Sequence, residues 1–239
     1  MKIKDLHPWE QINLAEARNI QEELRSLIIL EDKISISDIR RVAGIDNAYV
    51  KDGQITIAHA VVVILNFPNL EIIETQTASY PIHFPYIPGL LAFREAPAIL
   101  KAYRLVENEP DLILFDAQGY AHFRRIGLAS HLGLVLDRPS VGCAKSRLLG
   151  EYSEPEKTFG SFSILKVGGE VIGAAVRTRT SHSPLFVSPG HKISLATAID
   201  ITLACCQDNH FMPEPTRLAN KLVNAQARTY RQQINVDQS

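Results

Sequence analysis

The apolar positions change period along the chain. Leu14, Ala17, Ile20, Leu24 and Leu27 recur at three- and four-residue steps, which predicts an amphipathic helix after Pro8. From Arg41 onward the pattern becomes strand-like. Arg41–Val50, Gln54–Leu65 and Leu70–Ser79 are rich in Val, Ile, Thr and Tyr, and the turn signals Asp52-Gly53 and Pro68-Asn69 separate them. This predicts a three-stranded antiparallel meander.

The second half alternates. Pro97 suits a first helical position, with Ile99, Leu100, Tyr103 and Val106 as the stripe and an end before Pro110. Asp111–Asp116 is an apolar run too short for a helix and ends in an acid. Arg125–Leu136 reads as a helix, Ser140–Ala144 as a buried strand, and Phe159–Arg179 as a hairpin broken at Gly168-Gly169. Ser194 can cap a helix running to about Cys206, and Pro215 can open a last helix through Arg228. A meander followed by alternating strands and helices predicts an α/β mixed sheet flanked by helices. No stretch resembles a linker, so residues 1–239 are expected to form a single domain.

Composition narrows the class without naming it. Hydrophobic residues at 46% and charged residues at 21% describe an ordinary globular chain. Lys+Arg 25 against Asp+Glu 26 gives a net charge of −1, which excludes a wholly basic coat but leaves room for a local basic groove. The longest apolar stretch, Ala58–Phe67, is far short of the ~20 residues that span a bilayer, and the first residues lack a secretory core. Three cysteines, Cys143, Cys205 and Cys206, imply no disulfide framework, and the adjacent pair fits core packing. A soluble cytoplasmic protein with no membrane partner is expected.

Two acids stand out. Asp46 follows Arg-Val-Ala-Gly-Ile and Asp116 follows Asp-Leu-Ile-Leu-Phe, so each lies at or near the end of a strand inside the sheet. An ionised carboxylate there is costly unless paired or hydrogen-bonded. Either could be a turn aspartate; together, on neighbouring strands, they would suit a divalent cation with oxygen ligands. Glu95 reads as a solvated helix-end carboxylate or as the third member of such a cluster. Pro85-Tyr86-Ile87-Pro88, released by Gly89, is either a rigid turn with Tyr86 over the core or a stiff apolar tip for a base stack. Gln118-Gly119-Tyr120-Ala121-His122-Phe123-Arg124-Arg125 suits phosphate or base-edge contact, with His122 a general acid/base candidate. Lys145 could neutralise a phosphate or simply snorkel from a strand end. Arg177, Arg179, Arg217 and Lys221 could widen a basic groove or form a solvated face. No dinucleotide fingerprint, Walker A, H-E-x-x-H or C-x-x-C motif occurs.

At these motifs the chain resembles the endonuclease V family of deoxyinosine repair nucleases. The resemblance runs from about Val42 to Leu222. Its blocks are Ala43-Gly-Ile-Asp-Asn-Ala-Tyr49, Pro85-Tyr-Ile-Pro-Gly-Leu-Leu-Ala-Phe-Arg-Glu95, Asp116-Ala-Gln-Gly-Tyr-Ala-His122, Arg124-Arg-Ile-Gly-Leu-Ala-Ser-His-Leu-Gly133, Gly142-Cys-Ala-Lys-Ser-Arg147, Val187-Ser-Pro-Gly-His191 and Pro213-Glu-Pro-Thr-Arg-Leu-Ala219. The resemblance implies an RNase H-like fold and metal-ion cleavage with Mg²⁺, or Mn²⁺ in its place. Cutting is expected at the second phosphodiester 3′ to deoxyinosine in double- or single-stranded DNA, leaving 3′-hydroxyl and 5′-phosphate ends.

Carried over by motif, Asp46, Glu95 and Asp116 look like the metal-binding and catalytic acids, with His122 and Lys145 as catalytic support. Pro85, Tyr86, Ile87 and Pro88 resemble the wedge. Gly89, Ala117, Gln118 and Gly119 resemble the base pocket, and Arg124, Arg125 and Lys145 the phosphate contacts. The chain departs from the family at Ala117, where glycine is usual, at Phe123, where proline is usual, and at Asn220, where Asp or His can stand. A monomer is expected. The competing expectations are an inosine-specific ribonuclease, a structure-specific nuclease of the same fold, and a lesion-binding protein without turnover.

Overall fold

A computed structural model describes residues 3–207 and 210–237. The first helix, α1 (Leu14–Leu24), opens on Asn13, whose side chain accepts from the Ala15 and Glu16 amides while Glu16 reaches back to the Asn13 amide. The meander forms as expected: β1 (Arg41–Asp52), β2 (Ile55–Asn66) and β3 (Ile72–Pro81) pair antiparallel in sequence order. Then follow α2 (Leu91–Tyr103), β4 (Leu112–Phe115), α3 (Leu128–Leu136) and β5 (Ser140–Ala144). The hairpin β6 (Phe162–Val167) and β7 (Glu170–Val176), β8 (Leu185–His191), α4 (Leu195–Ala204) and α5 (Glu214–Asp237) complete the chain. All eight strands form one sheet in the order β3-β2-β1-β4-β5-β8-β7-β6, with β4 parallel to both β1 and β5.

Strand alternation sends successive side chains to opposite faces. Val42, Ala48 and Val50 of β1 and Leu112 and Leu114 of β4 pack with Ala198, Ile199 and Ile201 of α4 and Ala219 and Val223 of α5. Ala43 and Ile45 of β1 and Ile113 and Phe115 of β4 turn the other way, against Ala96 and Ile99 of α2 and Leu132 and Val135 of α3. Each such fully buried Leu or Ile contributes roughly 1.5–3 kcal/mol relative to exposure. Helix α1 forms an outer layer over Phe84, Leu90 and Phe93. Among the described residues, no helix is long and apolar enough to cross a membrane.

Three boundaries differ from expectation. Pro97 lies inside α2, which already begins at Leu91, so the Phe93 carbonyl lacks its usual i+4 donor and the helix carries Pro97 in its interior. Helix α3 cannot start at Arg125, which has a left-handed φ of 59°, and begins at Leu128 after Gly127. The Val187-Ser-Pro-Gly-His191 block, to which the sequence pattern assigned no element, forms a strand, β8, with Pro189 seated beside a register shift in its pairing with β5. Helix α5 begins at Glu214 and continues beyond Arg228.

Candidate active site

The parallel pairing of β1 and β4 ends with Ile45 opposite Phe115. The next residues are Asp46 and Asp116. By alternation both side chains share the face of Val42, Leu112 and Leu114, beneath α5. Two features bring α5 close enough to matter. Gly44 has no Cβ, and one there would overlap the carbonyl of Pro215 in the first turn of α5. With that helix start pressed on β1, Asn220 reaches Asp46 and donates its amide to Oδ2 at 2.7 Å. The Asn47 amide donates to the other oxygen at 2.8 Å. Burial, with the charge of Asp116 adding to it, still pushes the Asp46 carboxyl up to about 6. Asp116 is paired with the Lys145 ammonium, which comes from the end of β5.

Glu95 arrives from the opposite face. It sits on α2, and the phenol of Tyr49 donates to its Oε1. Burial raises Glu95 to about 7, against the pull of the Tyr49 hydrogen bond and with Asp46 adding repulsion. Burial and the Glu95 charge in turn hold the Tyr49 phenol protonated. Between these acids the Asn47 side-chain amide is buried against Glu95 and, with Tyr49, draws that carboxyl down against its burial. The three carboxylates therefore approach one another around the end of β1. Among the described residues, however, no three acidic, His or Cys side chains converge into one metal-ready group. Glu95 lies across the strand from the Asp46–Asp116 pair, held by Tyr49 and within reach of the Asp46 charge. An all-oxygen pair in which the buried Asp46 carboxyl is crowded by the Asp116 charge does fit a hard divalent cation.

Beside the acids lies a cavity of about 140 Å³ lined by Ile87, Pro88, Gly89, Ala117, Gln118 and His122, among others. Its floor is the loop after β4. That loop is anchored by the Gly119 amide on Ser188 Oγ at 2.9 Å and the Tyr120 amide on the Pro189 carbonyl at 2.7 Å. Ala117 does not have a positive φ, so its methyl is accommodated without strain. Gly89 does, at 81°, with His122 and Arg124 against it. His122 is buried, and burial together with the nearby Arg124 charge lowers it to about 4. It is neutral at pH 7, accepts from the Arg124 amide at 3.2 Å, and is oriented toward Gly89 rather than the acids. The tip above the cavity is anchored by Phe84 and Ile87, which pack on Phe93 and Leu90. Tyr86 is 67% exposed, so it projects outward and does not cover the core.

The arginines behave differently from expectation. Arg124 is spent on Gln21 at 2.6 Å and the Gly89 carbonyl at 2.8 Å, tying α1 and the tip to the loop. Arg125 grips Glu170 through two nitrogens and the His122 carbonyl through a third. Neither is poised for phosphate. Arg177 is buried on Glu154 and three backbone carbonyls, and Arg217 is paired with Glu214, so neither widens a groove. Phe123 is exposed and edge-on to His122. Sequence reasoning missed Tyr49, Gln21 and Ser188. Tyr49 and Ser188 each carried a signal, lying inside the Ala43–Tyr49 and Val187–His191 blocks, whereas Gln21 carried none.

An RNase H-like sheet with paired carboxylates on adjacent central strands defines a nuclease-class fold and site. The endonuclease V family profile matches residues 22–221. An endonuclease V of Nostoc sp. is 49% identical over 224 residues, covering 94% of this chain and 99% of the relative. One from Methanothrix thermoacetophila is 46% identical over 231 residues, covering 97% and 99%. The crystal structure of the Bacillus subtilis endonuclease V superposes with a TM-score of 0.93 at 31% identity, covering 98% of this chain and all (100%) of that one. A Ciona intestinalis endonuclease V, solved with a 24mer DNA containing an inosine followed by a ribo-adenosine, gives 0.80 at 30% identity, covering 91% and 98%. This chain belongs to the endonuclease V family, whose members act on phosphodiester bonds of DNA.

Proposed function

We propose that this protein is a DNA repair endonuclease that nicks the second phosphodiester 3′ to deoxyinosine, leaving 3′-hydroxyl and 5′-phosphate ends. The observation that carries the reading is the Asp46–Asp116 pair set beside a base-sized, partly open cavity under a projecting Tyr86.

Deoxyinosine pairs weakly, so it leaves the stack at lower cost than a normal base. Tyr86, stiffened by Pro85 and Pro88, fills the gap with Ile87 behind it. The extruded hypoxanthine enters between Gly89 and the Ala117–Gly119 backbone, where the small cavity excludes the extra amine of guanine. Neutral His122 supports the pocket wall by hydrogen bonding and moves no proton at pH 7. Asp46 and Asp116 would hold Mg²⁺, with Mn²⁺ as a substitute, and the ion would supply charge stabilisation at the scissile phosphate and acidify water. Glu95 is placed to orient the attacking water from across β1. Lys145 leaves Asp116 and turns its ammonium to the phosphate.

The whole chain is read as one nuclease domain, a reading supported by the single continuous sheet, and as a monomer in solution. Three free cysteines fit the reducing cytoplasm. The test is a gel assay on end-labelled duplexes with one deoxyinosine or none, in Mg²⁺, Mn²⁺ or EDTA. One metal-dependent nick 3′ of the lesion is expected; lesion binding with no nick in either metal would overturn the nuclease reading. Inosine in RNA is the second reading, favoured by the ribo-adenosine beside inosine in the Ciona complex. A rate that requires a 2′-hydroxyl next to the inosine would select it.

A further inference from the structure

The tip and the Glu95 carboxylate are joined by more than chain continuity. Phe84, the last residue before Pro85, is buried against Phe93 with ring centroids 5.6 Å apart. Its carbonyl accepts from the Arg94 guanidinium at 3.0 Å. These two contacts staple the entry of the tip at Phe84 to the first turn of α2, with Tyr86 projecting just beyond the staple. The same guanidinium lies over the Tyr49 ring, 5.1 Å from its centroid. That ring's hydroxyl in turn holds Glu95. An unbroken line of contacts thus runs from the base of the tip through Arg94 and Tyr49 to the carboxylate.

The structure assigns to Arg94 and Tyr49 a positioning role: they tie the placement of Glu95 to the seating of the Pro85–Pro88 tip, so that nicking depends on an extruded base. A cation over an aromatic face constrains both partners, and the Tyr49 hydroxyl then allows the carboxylate one rotamer. A tip pushed into a duplex loads its base at Phe84, and Arg94 is the side chain that carries the load to β1. Where the tip cannot seat, as on an undamaged duplex, the carboxylate is not brought into line. Tyr49 and Arg94 touch neither substrate nor metal in this scheme; they act through Glu95.

The inference rests on the nuclease reading above, and the test separates the two. Wild type, Tyr49→Phe, Tyr86→Ala and the double variant are compared for duplex affinity in EDTA and for single-turnover nicking in saturating Mg²⁺. Tyr49→Phe keeps the ring under Arg94 and removes only the hydroxyl. It is expected to bind deoxyinosine duplex like wild type and to nick roughly 10–100-fold more slowly, the cost of a misplaced catalytic group. The nicking cost of Tyr86→Ala is expected to shrink in the Tyr49→Phe background, because the two act in one line. Arg94→Met serves as the second variant should Tyr49→Phe fold poorly, with the same expected split between binding and rate. Additive costs, or wild-type nicking by Tyr49→Phe, overturn the relay. A folded wild type that nicks no deoxyinosine substrate overturns the nuclease reading itself.

Discussion

Asp46 and Asp116 leave neighbouring parallel strands at the same level and on the same face, one step beyond the Ile45–Phe115 pair. No loop conformation is needed to bring them together; strand register does it. Asp116→Ala is therefore expected to remove one of two co-facial oxygen donors and to lower nicking by about 10³-fold or more. Binding to a deoxyinosine duplex should persist through the tip and cavity. Gel shifts in EDTA beside nicking assays in Mg²⁺ check both halves, and normal nicking would withdraw Asp116 from the site.

Without metal, the two raised acids make the fold pH-sensitive in an unusual direction. Unfolded, Asp and Glu titrate near pH ~4; folded, Asp46 and Glu95 hold their protons to about 6 and about 7. Between pH 4 and 7 these two acids have already released protons in the unfolded chain that they keep in the folded one, so their contribution to stability falls as pH rises, by on the order of a few kcal/mol. Below this window the sign reverses. Burial opposes ionisation of Asp137, but Lys192 and Lys4 outweigh it and pull it to about 2, so its contribution is lost as pH drops from ~4. Buried histidines act the other way: burial lowers His122 and His191 to about 4 and His131 well below its usual value, so their contribution grows as pH rises toward ~6.5. The acids are isolated by melts in EDTA of wild type and Asp46→Asn: the variant should gain melting temperature relative to wild type from pH 5 to 8, and a difference that stays flat over that range would contradict this.

Gly44→Ala should act at a distance from its own strand. The added methyl has no space against the Pro215 carbonyl, so α5 must shift off β1, at a cost of about 2–4 kcal/mol. Asn220 moves with it and releases Asp46. Denaturant unfolding should register the stability loss, and a Mg²⁺ titration of nicking should show weakened metal dependence in the same variant.

Arg124→Met and Arg125→Met are expected to lower stability by about 1–3 kcal/mol while leaving the salt dependence of DNA binding unchanged, since both guanidiniums are consumed within the protein. Lys145→Met should reduce the slope of log affinity against log salt by about 1. A smaller slope in either arginine variant would return that arginine to the phosphate surface.

Much of this arrangement is readable from local pattern. The meander follows from β-branched runs and two turn signals, and Asp46 and Asp116 follow from acids placed at the ends of apolar runs. What escaped depends on partners distant in sequence. Arg125 in a loop looks the same whether solvated or locked to Glu170, which lies on another hairpin. Strand β8 carries Ser-Pro-Gly, a sequence that signals a turn, and it is a strand because β5 and β7 flank it and the Pro189 carbonyl faces Tyr120. The start of α2 was masked by Pro97, whose usual place is a helix opening. Glu95 could be named from its motif, but its position across β1 from the other acids required the alternation of Asn47 and Tyr49 against Asp46, which only the assembled sheet displays.

The loop after β4 owes its shape mainly to backbone anchors: Gly119 and Tyr120 hang on Ser188 and Pro189, and Gly127 closes back on Gly119 at 2.9 Å. Ala117 and the side chain of Gln118 line the cavity between those fixed points. The pocket is thus a socket with an interchangeable lining. Exchanging residues 117 and 118 alters the groups that meet a base while its frame stays bolted to the sheet, so the choice of base can be re-engineered at a site whose refolding is not at stake.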